Sequence, residues 1–294
     1  MHPFIHLGPI TLGTYGLMVA TGLICAFFVM RADLRRRALE VDAESIIGIT
    51  GLAGLAGARL YHLLESPAEF FANPLPLLFS TTGFAWFGAL LGGFTALVLL
   101  ARNYRMKILL MLDVAAPAAA LGYGIGRIGC LISGDGDYGT PTSLPWGMSF
   151  PNGLVPTTER VHPTPIYEFL AAVVIAYILW RIGRCALPGN LAKPAKPAVP
   201  VNQGKLATHP AGEVFAWYLV LTGVARFLVE FIRINPRSFF GMSNAQAASV
   251  LSVFAGVLLL FILKRGATPL QKVSRDRAGK PPRRARREAR LGKT

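Results

Sequence analysis

Seven long apolar stretches constrain what this chain can fold into more than any other feature. A helix needs about 20 mostly apolar residues to cross a lipid bilayer, and each stretch is close to that length. Because 53% of the residues are hydrophobic and only 15% are charged, the chain is also too apolar for an ordinary soluble domain. The sequence therefore predicts an all-α, polytopic membrane protein with about seven transmembrane helices. The predicted spans are residues 11–30, 46–64, 82–100, 109–128, 164–180, 213–232 and 244–263.

The positions of the basic residues predict how these helices are oriented. Residues 1–10 contain no lysine or arginine, whereas 24 of the 30 basic residues fall in the segments 31–42, 101–107, 181–210 and 264–294. Loops rich in Lys and Arg stay on the cytoplasmic side, so we expect the N-terminus outside and the C-terminus inside. The net charge of +15 then reflects membrane orientation, and no nucleic-acid partner is expected.

The most basic segment follows the last apolar stretch. The change in composition predicts a transmembrane domain at residues 1–263 and a basic, disordered cytoplasmic tail at 264–294. Such a juxtamembrane cluster could bind RNA, but it more often contacts anionic lipid headgroups, which is the interpretation we favour. Residues 187–210 are rich in proline, lysine and alanine, which is typical of a flexible linker.

Six arginines lie within the apolar stretches or at their outer ends, where the orientation rule disfavours them. A charge in lipid is costly, so we expect these side chains to bind an anion or to pair with a carboxylate. For Arg160 and Arg237, reaching out to the outer interface is an equally good explanation. The six are Arg59, Arg127, Arg160, Arg226, Arg233 and Arg237.

The segment 113–168 is the predicted active centre. The apolar segment 115–125 precedes Arg127, which has glycines on both sides at positions 126 and 129. A polar loop that contains Asp135 and Asp137 follows. Charged groups are costly in so apolar a chain, and packing alone does not explain their presence there. We therefore expect the chemistry of the protein to take place around this loop.

Glycines four residues apart recur in the predicted spans. Two such pairs are Gly88 with Gly92 and Gly122 with Gly126. This spacing lets the backbones of membrane helices approach closely, which explains the glycines better than a phosphate-binding loop does. The sequence has neither a Walker motif nor a dinucleotide-binding fingerprint, so no nucleotide cofactor is expected.

A charged triplet occurs near the outer end of the predicted sixth helix. Arg226, Glu230 and Arg233 are spaced i, i+4 and i+7, which predicts that they share one helical face. They could form a self-neutralising stripe with no chemical role. If Arg127 of the fourth helix lies beside this triplet, however, two guanidiniums can bind one phosphate, each in bidentate fashion.

The loop before the fifth span is rich in aromatic residues and proline. Trp146 and Phe150 are predicted to lie in the headgroup layer of the membrane. Beside them, His162, Tyr167 and Glu168 could supply an acid, a base and hydrogen bonds. His162 precedes a proline and could equally be a capping or turn residue.

Five motifs occur in a fixed order along the chain. They are Asp113-x-x-Ala116-Pro117, Gly126-Arg127-Ile128-Gly129, Pro145-Trp146-Gly147-Met148, His162-Pro163 through Tyr167-Glu168, and Arg226-x-x-x-Glu230-x-x-Arg233. In this order they resemble the prolipoprotein diacylglyceryl transferase family, over about residues 8–263 and without the basic tail. The resemblance implies an enzyme of the bacterial inner membrane with its active site toward the periplasmic face. It further implies transfer of the diacylglyceryl group from phosphatidylglycerol to the lipobox cysteine thiol of a prolipoprotein signal peptide, without a cofactor or metal.

The resemblance also implies roles for individual residues. Arg127 and Arg226 match the family's lipid-binding arginines, Glu230 matches its glutamate and Tyr15 its N-terminal tyrosine, while Asp135 replaces a second glutamate. The implied catalytic residues are Arg127, Arg226, Asp135, Glu230 and Tyr15. The implied substrate-binding residues are Arg127, Gly139, Arg233, Arg59, Cys130, Asp137, His162, Tyr167 and Glu168.

Two positions depart from the family's usual pattern. Phe87 stands where the family commonly has a histidine, and Cys130 stands where it commonly has an asparagine. Because phenylalanine cannot move a proton, the base could be Asp135, Asp137 or Glu168, or the substrate thiol could react after ionising unaided. The same departures leave open a catalytically silent relative that only binds phospholipid.

Overall fold

The apolar stretches form helices at all seven predicted positions. In this computed structural model the described residues are 2–8, 10–65, 67, 70, 85–185, 210–238 and 240–266. Among these residues, six of the seven helices, all except the sixth, are long and apolar enough to cross a membrane, which confirms the prediction of an all-α polytopic fold. The helices are α1 Thr14–Arg36, α2 Ala43–Glu65, α3 Trp86–Asn103, α4 Ile108–Ser133, α5 Thr164–Cys185, α6 Glu213–Val229 and α7 Asn244–Gly266.

The start of α1 differs from the predicted span because the preceding residues form a hairpin. Strands β1 (Phe4–Leu7) and β2 (Ile10–Gly13) pair antiparallel, with Phe4 opposite Gly13. The Thr14 side chain and backbone N–H both donate to the Pro3 carbonyl, at 3.0 and 2.9 Å. These bonds hold the first turn of α1 against the hairpin.

Helix α4 occupies the centre of the bundle and contacts α1, α3, α5 and α6. Small side chains, such as the buried alanines at 115, 116, 118 and 120, let these neighbours approach it closely. At its first turns, Asp113 is buried and accepts hydrogen bonds from the backbone N–H groups of Gly212 and Phe215, at 2.7 and 2.8 Å. Two of the N–H groups at the start of α6, which lack partners within their own helix, are thereby satisfied by a side chain of α4.

The helices α2 and α3 pack backbone to backbone at the predicted glycine pair. A methyl group at Gly88 would lie 2.2 Å from the Gly57 carbonyl oxygen, and one at Gly92 would lie 2.2 Å from that of Ala53. The packing interpretation therefore holds for this pair. It holds only in part for the pair on α4, where Gly122 faces Gly22 while the position of a Gly126 side chain meets open space.

Basic residues gather at the end of the bundle away from the predicted active centre. Arg36 Nη1 donates to the Trp180 carbonyl at 2.8 Å, near the C-terminal ends of α1 and α5. At this end Asp33, fully buried, pairs with Arg36 and with Arg37 Nε at 3.1 Å. Residues at the C-terminal half of α1 also share a buried cluster with the end of α3, so the basic segments 31–42 and 101–107 lie together.

A second hairpin forms part of the loop region between α4 and α5. Strands β3 (Met148–Phe150) and β4 (Thr157–Val161) pair antiparallel with an irregularity. Phe150 is fully buried and stacks on Tyr138 with ring centroids 4.3 Å apart, so its predicted location in the headgroup layer is wrong. Trp146, by contrast, is 56% exposed.

Arg160 stabilises this loop. Its Nη2 donates to the carbonyl of Pro145 at 2.9 Å and to that of Gly147 at 3.2 Å. The predicted linker and most of the predicted tail fall outside the described residues, although Lys264 and Arg265 belong to the last turn of α7.

Candidate active site

Arg127 lies at the centre of a charged cluster near the C-terminal end of α4. Its Nε donates to Glu168 Oε2, while its Nη1 lies 2.5 Å from Asp137 Oδ2 and 3.2 Å from Cys130 Sγ. The side chain is largely buried, and its Nη2 has no hydrogen-bond partner among the described residues. Because a buried N–H without a partner is costly, this nitrogen favours a ligand with an acceptor at that position.

Glu168, near the start of α5, joins the three arginines of the cluster. Its carboxylate accepts hydrogen bonds from Arg127 Nε and Arg226 Nη1, and its Oε2 lies 3.7 Å from Arg233 Nη1. The Tyr123 hydroxyl donates to Oε1 at 3.4 Å. With a side chain only 4% exposed, Glu168 is positioned to hold the guanidiniums in place.

The structure brings Arg226, Glu230 and Arg233 together, but the predicted single helical face is wrong for Arg233. Helix α6 ends at Val229 and Glu230 is its C-cap, so Arg233 lies beyond the helix. The fully buried Glu230 Oε2 is 3.0 Å from Arg226 Nη2 and 3.8 Å from Arg233 Nε. The chain turns back after α6, and this turn rather than helical periodicity carries Arg233 into the cluster.

Gly139 positions the returning chain. It forms an antiparallel bridge with Arg233, and its N–H donates to the His162 carbonyl at 2.9 Å. A methyl group at this position would lie 2.6 Å from the Ile232 carbonyl oxygen and 2.8 Å from His162 Cβ. Gly139 therefore leaves no room for a side chain between these two segments.

Asp137 lies on the polar loop that follows α4. Its Oδ2 faces Arg127 and its Oδ1 accepts a hydrogen bond from Arg233 Nη2. Burial opposes ionisation, yet these two guanidiniums hold the pKa of the Asp137 carboxyl below its usual value. The loop turns sharply at Gly134 and Gly136, which adopt φ values of +61° and +94° that side chains rarely allow.

Asp135, on the same loop, has a different environment. One of its carboxylate oxygens lies within 4.8 Å of the buried Cys130 sulfur, and its Oδ1 accepts the backbone N–H of Asp137 at 3.2 Å. Burial raises the pKa of the Asp135 carboxyl, and the neighbouring Cys130 thiol only partly opposes this. Two aspartates two residues apart thus have pKa values shifted in opposite directions, a pattern that separates a proton acceptor from an ion-pair partner.

Tyr15 reaches the cluster from α1. A methyl group at Gly129 would lie 3.2 Å from Tyr15 Cδ2, so the tyrosine packs on the α4 backbone beside Cys130. The side chain is half exposed. Tyr15 therefore combines contact with α4 with an accessible surface.

His162 belongs to an aromatic chain of hydrogen bonds beside the cluster. Its Nδ1 lies 3.2 Å from the Tyr167 hydroxyl, which accepts a 2.8 Å hydrogen bond from Trp146 Nε1. The ion pairs of the cluster are made by Arg127, Arg226 and Arg233 with Asp137, Glu168 and Glu230. His162 is therefore a neighbour of the charged groups rather than one of them.

Two residues singled out in the sequence lie on the α2 and α3 pair. Arg59 is buried on α2, a helix that packs mainly against α3. Phe87 is 57% exposed on α3 and packs near Tyr61 with ring centroids 6.5 Å apart. The position at which the family commonly has a histidine thus contacts α2 in this chain.

Sequence reasoning missed three polar residues that hold the cluster. Asn235 Nδ2 donates to Glu230 Oε1 at 2.5 Å, and Thr164 Oγ1 donates to the Asp137 carbonyl at 2.5 Å. The third is Tyr123, which bonds Glu168. Tyr123 lies one turn before Arg127 on α4, so the i, i+4 spacing could have identified it. Asn235 lies beyond a helix end, where periodicity gives no signal.

The thiol and carboxylates of Cys130, Asp135 and Asp137 bring three ligand atoms within 4.8 Å of one another, which is close enough for a metal ion. However, Asp137 is already neutralised by two guanidiniums, and Arg127 also contacts the Cys130 sulfur. A cation would face the positive charge of Arg127 at this position. The geometry therefore suits an anion held by arginines better than a metal held by carboxylates.

Comparisons with known proteins agree with this chemistry. The sequence profile of the family described as prolipoprotein diacylglyceryl transferase matches residues 3–262. A phosphatidylglycerol–prolipoprotein diacylglyceryl transferase of Geobacter sulfurreducens is 33% identical over 274 residues, covering 89% of this chain and 95% of the relative. The proteins of the same name from Bordetella avium and Clostridium tetani are 32% identical over 273 residues and 30% identical over 253 residues. These two alignments cover 88% and 84% of this chain and 92% of each relative. The chain therefore belongs to the prolipoprotein diacylglyceryl transferase family.

Proposed function

We propose that this protein transfers the diacylglyceryl group of phosphatidylglycerol to the lipobox cysteine thiol of a prolipoprotein. The sulfur of the cysteine attacks the glyceryl carbon that carries the phosphate. A carbon–sulfur bond forms, the carbon–oxygen bond to the phosphate breaks, and glycerol 1-phosphate leaves. The observation that carries this proposal is the convergence of Arg127, Arg226 and Arg233 at one end of the bundle.

The arginines fit the electrostatic demand of this reaction. Negative charge accumulates on the phosphate oxygens as the carbon–oxygen bond breaks, and fixed guanidiniums stabilise that charge without reorganising. Glu168 pairs with both Arg127 and Arg226, and Glu230 pairs with Arg226. The side chains of these two glutamates are 4% and 0% exposed. Because both carboxylates are buried and fixed, the positions of the arginines are set before the substrate binds.

Asp135 is the best-placed residue to accept the proton of the substrate's lipobox cysteine thiol. It lies beside Cys130 and makes no ion pair within the cluster, whereas Asp137 and Glu168 are both engaged by arginine. Burial raises its pKa toward the working pH, which favours general-base catalysis. Tyr15, packed on α4 beside this group, is available to orient the incoming thiol.

We assign the cluster to the periplasmic face of the bacterial inner membrane. The argument is that the basic segments 31–42 and 101–107 lie at the opposite end of the bundle, and such segments stay in the cytoplasm. A peptide tag at Met1 is expected to be digested by protease added to spheroplasts, while a tag at Thr294 is expected to be protected. Digestion of the tag at Thr294 in intact spheroplasts would contradict this orientation.

The decisive test is an assay of transfer with purified protein in phosphatidylglycerol vesicles. A synthetic lipobox peptide should acquire a diacylglyceryl thioether, detected by its mass, and one glycerol 1-phosphate should appear per modified peptide. A matched peptide with serine in place of the cysteine should stay unmodified. Phospholipid binding without a thioether product would instead identify a catalytically silent relative.

A further inference from the structure

Asp137 holds its two guanidiniums in the way that a phosphate group would. One carboxylate oxygen, Oδ2, lies 2.5 Å from Arg127 Nη1, and the other accepts a hydrogen bond from Arg233 Nη2. The carboxylate therefore bridges arginines from two segments, α4 and the chain beyond α6. A phosphate offers the same two oxygens at a similar separation, together with further acceptors.

Donors around Asp137 remain without hydrogen bonds. Arg127 Nη2 and Arg233 Nε and Nη1 are buried and have no such partner among the described residues, and the Arg233 side chain is only 7% exposed. Glu230 Oε2 lies 3.8 Å from Arg233 Nε, and Glu168 Oε2 lies 3.7 Å from Arg233 Nη1, both beyond hydrogen-bonding distance. A carboxylate has too few oxygens to satisfy both arginines, whereas a phosphate has additional ones.

Of the three carboxylates in the cluster, Asp137 is the one best placed to leave. Its side chain is 31% exposed, compared with 4% for Glu168 and 0% for Glu230. The backbone of Asp137 is fixed separately, because its carbonyl accepts a hydrogen bond from Thr164 and its N–H donates to Asp135. The side chain can therefore turn toward solvent without moving the loop.

We infer that the phosphate of the lipid headgroup binds between Arg127 and Arg233 by displacing the Asp137 carboxylate. This inference rests on the proposed function and identifies the subsite at which its lipid substrate is held. Arg226, fixed by Glu168 and Glu230, borders the subsite. Asp137 acts as a built-in competitor that lowers the apparent affinity for phosphate and closes the subsite after glycerol 1-phosphate leaves.

The test measures binding without the peptide, so that no transfer is needed. Wild-type protein and Asp137→Asn are titrated with glycerol 1-phosphate in detergent and with phosphatidylglycerol in nanodiscs. Loss of the competing carboxylate is expected to tighten both ligands about tenfold, since each competing bond is charge-assisted. Glu159→Gln is the matched control, because it removes an exposed carboxylate of β4, and it should leave both dissociation constants unchanged.

A double-mutant cycle locates the effect at Arg233. Arg233→Gln should weaken both ligands about tenfold, and adding Asp137→Asn to it should recover much less than Asp137→Asn gains alone. Equal gains in the two backgrounds would overturn the inference, as would unchanged affinity in Asp137→Asn. A gain for glycerol 1-phosphate without one for phosphatidylglycerol would overturn the assignment to the lipid headgroup.

A second measurement uses only the wild-type protein, in case Asp137→Asn does not fold. A carbodiimide with an amine labels accessible carboxyl groups, and labelling at Asp137 is read by peptide mass. Saturating glycerol 1-phosphate is expected to increase labelling at Asp137, because the displaced carboxylate loses its arginine partners, whereas unchanged or reduced labelling would overturn the inference. Tightened binding without thioether formation would overturn the proposed function and leave this subsite standing.

Discussion

Arg127→Lys is expected to lower the rate of diacylglyceryl transfer about a hundredfold or more, although the charge is retained. Arg127 donates a hydrogen bond to Glu168 through Nε and contacts Asp137 and Cys130 through Nη1. Its Nη2 has no hydrogen-bond partner among the described residues and can donate to a ligand. A lysine ammonium is a single nitrogen and cannot reach all three directions from one position. The loss should be of the size seen when one donor to a developing oxyanion is removed.

The measurement is the turnover of lipobox peptide at saturating phosphatidylglycerol, with thermal unfolding as a check on folding. Arg237→Lys is the matched control, since Arg237 is exposed beyond α6 and the same change there should leave turnover unchanged. Near-normal turnover by a well-folded Arg127→Lys protein would show that the fork geometry of the guanidinium is not needed.

Hydropathy and charge predicted the helices of this protein because both follow from the lipid environment. A helix that crosses a bilayer must satisfy its backbone internally and present apolar side chains outward, which leaves a strong signal in the sequence. Helix ends carry a weaker signal. The predicted first span begins three residues before α1, because residues 10–13 pair with β1 instead. The apolar composition of that segment suits either structure.

The candidate site could be predicted in its charges but not in its contacts. An arginine in an apolar span requires a counter-ion or a ligand, so Arg127, Arg226 and Arg233 could be selected from sequence alone. Their pairing depends on where loops turn. Arg233 enters through a β-bridge to Gly139 rather than along α6, and no periodic pattern encodes that turn. The sequence likewise predicts that Phe150 is an interfacial aromatic residue, whereas in the structure it stacks on Tyr138.

The different surroundings of Asp135 and Asp137 are also beyond the reach of the sequence. Both are aspartates in a glycine-rich loop, and both were candidates for the missing base. In the structure only Asp137 faces the guanidiniums, while Asp135 faces a buried thiol. The loop conformation therefore distinguishes the surroundings of the two aspartates, which the sequence alone does not.

Asp135→Asn is expected to reduce turnover about a hundredfold at neutral pH, the scale on which a positioned base contributes. The asparagine keeps the shape of the side chain but cannot accept the proton of the substrate thiol. Asp135→Glu retains a carboxylate and should keep much more of the activity. Both variants are compared by initial rates at saturating peptide, with thermal unfolding again checking the fold.

The pH profile separates a base from a structural carboxylate. In the wild type, activity should fall on acidification as Asp135 takes up a proton, and the fall should begin above the usual range of an aspartate because burial raises its pKa. In Asp135→Asn that limb should vanish, and the rate should instead rise with pH up to about 8.5, where the peptide thiol ionises unaided. Phe87→His should restore the rate only if the side chain at this position faces the same cavity, and Phe87 packs near Tyr61 of α2 instead, so no rescue is expected. Full activity of Asp135→Asn with an unchanged pH profile would show that the thiol ionises without this carboxylate, and the three arginines alone would then account for the activation of the substrate.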